Sequence, residues 1–99
     1  MAAEADVRAA LHEVIDPELG VNIVDLGLVY GIDVNPEGEV RVTMTMTSPA
    51  CPMRDYLEGL VESSIIERVP DVRSVVVDIV DEPPWSPDRM SEAARRQLE

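Results

Sequence analysis

The succession helix–strand–strand–helix–strand, followed by a tail, predicts an α+β fold: a small two-layer α/β sandwich with helices on one face of a three-stranded mixed sheet. Three observations carry this. Apolar residues recur at helical spacing over 6–15 and again over 52–69. They alternate with polar residues over 28–34 and 39–47, two runs separated only by Asn35-Pro36-Glu37-Gly38. A Val/Ile-rich run at 72–80 follows the second helix, so strand, helix and strand form a crossover, expected to be right-handed.

Each element has its local reasons. In the first helix Val7, Ala10, Leu11, Val14 and Ile15 share a face, Asp6 is the candidate N-cap, and Asp16-Pro17 should end it, because a residue before proline avoids the helical region. Residues 16–27 are rich in Asp, Gly and Pro but carry Leu19, Val21, Ile23, Val24 and Leu26, which suggests a loop that packs down. In the first strand Leu28, Tyr30, Ile32 and Val34 should share a face; in the second, Val40, Val42, Met44 and Met46 oppose Arg41, Thr43, Thr45 and Thr47, and the threonine face should be the less buried one. Ser48-Pro49-Ala50-Cys51-Pro52 breaks the pattern. The long helix then presents Met53, Leu57, Leu60, Val61, Ser64 and Ile65 as one stripe and stops at Pro70. The tail opens with Glu82-Pro83-Pro84-Trp85 and finishes in a small helix from Ser91 to Leu98. No repeat and no domain boundary interrupts the chain, so residues 1–99 form one domain with 83–99 as its tail. Strand order is not fixed by these patterns.

Composition narrows the function. The chain has 99 residues, no Phe, and a formal net charge of −12, with acidic residues in every region. Such a surface repels phosphate backbones and anionic headgroups and favours basic partner surfaces, which argues against nucleic acid and membrane as partners. No stretch is apolar and long enough to span a bilayer, and the N-terminus lacks the basic start and apolar run of a secretory signal, so a cytoplasmic location is expected. A single cysteine excludes an internal disulfide.

That cysteine lies in the most informative segment. Pro52 suits the first position inside a helix, where its missing N–H would be unpaired anyway. Cys51 then falls at the N-cap, facing the free N–H groups and the positive end of the helix dipole. A thiolate is stabilised there, more so if Arg54 faces the sulfur. The bland alternative is a small half-buried cap that fills space. One sulfur cannot complete a structural metal site, and His12 is far away in sequence, so a metal cluster held by Cys51 would be shared with another subunit, a partner or a small thiol. Thr45 and Thr47 lead into the segment and could bond to the sulfur or the loop, or simply form sheet surface. Asp16, Glu18, Asp25 and Asp33 are candidate acids, of which Asp25, flanked by apolar residues, stands out; its ordinary role would be to cap loop N–H groups. Trp85, stiffened by two prolines, either covers the core or meets a partner.

Four blocks in order, DPELG at 16–20, DLGLVY at 25–30, TMTSPACP at 45–52 and PPWSPDRMSEAAR at 83–95, resemble the iron–sulfur cluster assembly domain family, also described as metal–sulfur cluster biosynthetic proteins. The resemblance covers nearly the whole chain. It implies a compact α/β domain whose functional residue is the loop cysteine, Cys51, as the metal ligand. The family's acidic loop falls on Asp16, Pro17 and Glu18, its second loop motif on Asp25, Leu26 and Gly27, and its threonines on Thr45 and Thr47. The candidate cluster-binding set is therefore Cys51, Thr47, Thr45, Asp25 and Glu18, with Trp85 for partners. Family members are maturation factors that deliver clusters to client enzymes, some alongside a P-loop scaffold ATPase. The tail resembles SufT-type and PaaD-type members, and the absence of a zinc-binding extension favours the SufT-like form. The resemblance implies a non-enzymatic factor that binds an iron–sulfur cluster transiently, with a scaffold or P-loop ATPase carrier and client apo-proteins as partners and a homodimer left open. Two alternatives stand beside it: an adaptor between scaffold and client without a bound cluster, and a thiol enzyme with Cys51 as nucleophile, which would need a base that is not near in sequence.

Overall fold

The computed structural model describes residues 3–47 and 54–98. Its elements are helix α1 (Glu4–Leu11), strands β1 (Val29–Val34) and β2 (Glu39–Met44), helix α2 (Arg54–Arg68), strand β3 (Ser74–Ile79), a 3-10 turn (Pro87–Arg89) and helix α3 (Glu92–Leu98). The sheet order is β1-β2-β3, with β1 and β2 antiparallel and β2 and β3 parallel through α2. This is the mixed sheet that hairpin and crossover together imply.

Helix α1 starts and stops earlier than its periodicity predicts. Its N-cap is Ala3, with no side-chain cap, and Asp6 sits inside the first turn, where the helix dipole favours an acid. Beyond Leu11 the chain opens: Ile15 bridges Asn22, while Ile23 N–H bonds to the Val14 carbonyl and Asp16 N–H to that of Val21. Residues 14–16 thus find their backbone partners in 21–23, consistent with the constraint Pro17 places on Asp16. Val14 still enters the core, whereas Ile15 is exposed.

A bulge corrects the expected face of β1. Val29 pairs with Met44 but Gly31 with Thr43, which leaves Tyr30 as the extra residue. Val29 therefore packs against the core together with Ile32 and Val34, and Tyr30 is released to meet the tail. The buried centre is formed by Val7 and Leu11 of α1, Leu57, Val61 and Ile65 of α2, Ile32, Val40, Val42 and Met44 of the sheet, and Ile23, Leu26 and Leu28 of the loop before it. Each such side chain contributes about 1.5–3 kcal/mol by leaving water. Both long helices cover this one sheet face. On the other, Arg41, Thr43, Val76 and Asp78 lie side by side.

The second strand ends at Met44, and both Thr45 and Met46 are then buried. Alternation predicts Thr45 on the open side. Instead the chain leaves the strand, Thr45 N–H bonds to the Leu28 carbonyl, and Pro84 and Trp85 of the tail close over this corner.

The tail is strapped across residues 25–30. Trp85 Nε1–H donates to the Leu26 carbonyl at 2.7 Å, Tyr30 O–H to the Pro83 carbonyl at 2.7 Å, and Arg89 lies over the Tyr30 ring. Ser91 caps α3 by accepting from Ala94 N–H, while its own N–H and O–H reach the Asp25 carbonyl and carboxylate. Gly27, at φ +80°, lies against the Arg89 carbonyl, and a Cβ there would overlap it. Among the described residues no helix is long and apolar enough to cross a membrane.

Candidate functional site at the ends of the parallel strands

Parallel strands joined by a helix put three features at one end: the carboxyl ends of both strands and the amino end of the helix. Here Met44 and Ile79 are register partners, so residues 45–47 and 80–81 leave the sheet side by side, and Arg54 begins α2 nearby. Crevices at this end are where open α/β sheets place ligands. A small pocket of about 50 Å³ lies there, lined by Thr45, Thr47, Arg54, Asp81, Pro84 and Trp85, with Met46.

Three of the residues singled out in the sequence, Thr45, Thr47 and Trp85, therefore meet in one pocket. Cys51 lies outside the described residues; Thr47 and Arg54, which flank residues 48–53, both line this pocket. Thr45 is only 4% exposed, and among the described residues its hydroxyl makes no hydrogen bond. Arg54 is placed oddly for stability. A cation at a helix amino end opposes the dipole, and Arg54 makes no ion pair among the described residues; its contact is a long one of 3.4 Å to the Ile79 carbonyl. Arg54 and Asp81 bring one charge of each sign to the pocket wall, beside the threonines Thr45 and Thr47.

Asp25 and Glu18 do not line it. The Asp25 carboxylate accepts from Asn22 Nδ2–H at 2.7 Å and from Ser91 O–H at 3.0 Å, and His12 Nδ1 stands 4.0 Å away. The Asn22 hydrogen bond holds its pKa below the ordinary carboxylate value; burial pulls the other way, and Ser91 and His12 add to the lowering. Asp25 thus ties the loop to the start of α3, one residue from the Leu26 carbonyl that holds Trp85. Glu18 is exposed, and its N–H donates to Asp16 Oδ1 at 2.8 Å. Asp16 is almost fully buried, and its Oδ2 has no partner among the described residues. Asn22, Asp81 and Ser91 carried no signal in the sequence; only an Asn three residues before an Asp, and a Ser before Glu at a helix start, could have pointed to two of them. Among the described residues no three His, Cys, Asp or Glu side chains form a set that could hold a metal ion.

Comparison with known proteins agrees with this architecture. The chain is 42% identical over 97 residues to the Fe-S protein maturation auxiliary factor YitW of Bacillus subtilis, covering 98% of this chain and 94% of that one. It is 46% identical over 85 residues to the Fe-S protein maturation auxiliary factor SufT of Staphylococcus aureus, covering 86% and 96%. A crystal structure of a domain of unknown function, DUF59, from Bacillus anthracis superposes with a TM-score of 0.94 at 44% identity, over 96% of this chain and 90% of that one. The model of the iron-sulfur cluster assembly protein family matches residues 4–79, more than half of the chain. With that match and these near full-length relatives, the chain belongs to the iron-sulfur cluster assembly protein family.

Proposed function

We propose that the chain is a maturation factor that handles iron–sulfur clusters as cargo, with Cys51 supplying its one sulfur ligand and the pocket at the ends of β2 and β3 holding the anionic cargo in place. The observation that carries this is the convergence of Thr45, Thr47, Arg54 and Trp85 on a pocket whose two flanking residues, Thr47 and Arg54, bracket the segment bearing the only cysteine. The roles of the relatives named above support the same reading.

The chemistry follows from the parts. A cluster ligated by thiolates is anionic, and the amino end of α2 with Arg54 offers it positive potential. The Thr45 hydroxyl can donate to a sulfur. With one cysteine per chain, the remaining ligands come from a scaffold, a client apo-protein or a small thiol, so the cargo is held incompletely and can leave. The partners are the iron–sulfur assembly machinery and its clients, and the acidic surface fits basic faces on them. Glu18 and Asp25 act from outside the pocket; Asp25 positions the tail that carries Trp85.

The carrier reading is favoured over a thiol enzyme. The one histidine, His12, stands against Asp25 and is not among the described residues that line the pocket, which supports a role other than base to a thiol there.

Anaerobic purification with iron and sulfide analysis, alongside Cys51→Ser, tests the proposal. A labile cluster lost in the variant, together with failure of the variant to restore client activity in a deletion strain, is the expected result. Full restoration by Cys51→Ser would overturn it.

A further inference from the structure

We propose that the outer edge of β3 pairs antiparallel with β3 of a second copy, extending the sheet to six strands across a two-fold axis at Val76. The starting point is what the strand leaves unpaired. Strand β3 is the last strand of the sheet and, among the described residues, packs on β2 and α2 and on no other helix or strand. Val80 N–H donates to the Met44 carbonyl at 2.8 Å, and at the strand's start Ser74 N–H, at 3.4 Å, shares the Gly38 carbonyl with Arg73 N–H, so within β3 the even-numbered residues bond to β2. The odd-numbered Val75, Val77 and Ile79 must then direct their backbone groups outward, and Arg54 does reach the Ile79 carbonyl from that side. Val75 and Val77 keep open backbone groups among the described residues. Beside them the Val76 side chain is 51% exposed on the open face of the sheet. An edge of three consecutive valines without a covering element or an edge lysine is a template for another strand.

The side chains say which strand fits. With the axis at Val76, Val75 of one copy opposes Val77 of the other, giving the outward backbone groups their partners. Val76 then meets Val76 in the closer, non-hydrogen-bonded type of pair, where side chains touch most. Ser74 opposes Asp78, a hydroxyl against a carboxylate. The two Asp78 side chains are four residues apart along the strands, roughly 13 Å, beyond the screening length of about 8 Å at physiological ionic strength. Moving the axis to Val77 keeps the backbone bonds but sets Asp78 against Val76 and brings the two acids closer. The sequence Ser74-Val75-Val76-Val77-Asp78 is thus complementary to itself in one register.

Two consequences follow. Each copy carries a net charge of −12, so the pairing strengthens as salt screens the repulsion. The Ile79 ends lie six residues apart, roughly 20 Å along the strands, so each copy keeps its own pocket and the pair does not merge them.

The test uses the full chain. In a Cys51→Ala background, Val76→Cys and Ser74→Cys are compared under mild oxidation. Val76→Cys should form an interchain disulfide at least ten-fold faster, because only it meets its own copy. Sedimentation of the natural chain should show a dimer fraction that rises with sodium chloride, and Val76→Lys, a change at an exposed position, should stay monomeric at an unchanged Tm. Equal cross-linking of the two variants, a monomer at all salt concentrations, or a dimer that survives Val76→Lys would each overturn the proposal. All three readouts are independent of cluster binding.

Discussion

Gly27→Ala should detach the tail, and its effect can be worked out from two glycines. Gly20 and Gly27 both have positive φ, +71° and +80°, so alanine at either incurs the left-handed penalty of about 1–2 kcal/mol. They differ in space. Around Gly20 nothing lies within 4 Å of the added Cβ, whereas at Gly27 that atom would overlap the Arg89 backbone, which cannot bend away as a side-chain tip could. The tail must move, and with it the bonds from Trp85 to Leu26, Tyr30 to Pro83 and Ser91 to Asp25. At about 0.5–1.5 kcal/mol each, losing most of them adds about 2–3 kcal/mol. Gly20→Ala should therefore cost about 1–2 kcal/mol and Gly27→Ala about 3–5 kcal/mol. For a chain of this size the difference corresponds to about 10–20 °C in Tm. Trp85 is the only tryptophan, so its emission reports the tail directly. It should shift to the red in native Gly27→Ala and stay unchanged in Gly20→Ala. Equal melting temperatures and equal emission in the two variants would refute the placement of the tail on Gly27.

Three further outcomes are expected. Asp25 has a folded pKa below its ordinary value of 3.8, so its stabilisation is complete above that value and fades as pH falls through the folded pKa. Asp25→Asn should flatten the acid limb of the stability–pH curve, which urea titrations from pH 7 to pH 2 would show. Thr45→Val removes a hydroxyl from the pocket wall at nearly constant volume, so it should change stability by less than about 1.5 kcal/mol while reducing cluster transfer to an apo-client. Retained transfer would count against the pocket. Arg54→Glu reverses the one cation among the described residues that line the pocket and should slow alkylation of Cys51 at neutral pH several-fold, with Arg54→Lys close to the natural rate.

Much was legible in the residues themselves. The periods of Val40-Val42-Met44 and Leu57-Val61-Ile65, the turn at Asn35–Gly38 and the crossover to the valine-rich strand determine the element order and the layer each enters, because local spacing dictates which side chains must leave water together. The four ordered blocks likewise pointed to the family before any contact was known. The tertiary structure alone decided the rest. The bulge that turns Tyr30 from the core to the tail, the end of α1 at Leu11, the burial of Thr45, and the meeting of Trp85 with Thr45, Thr47 and Arg54 all depend on segments distant in sequence. Leu26 and Trp85 are 59 residues apart, and Asp25 and Ser91 are 66. Periodicity records which face of one segment is apolar. It carries no record of which distant carbonyl an indole N–H will find, because that choice is made by the packing of the whole chain and not by any window of it.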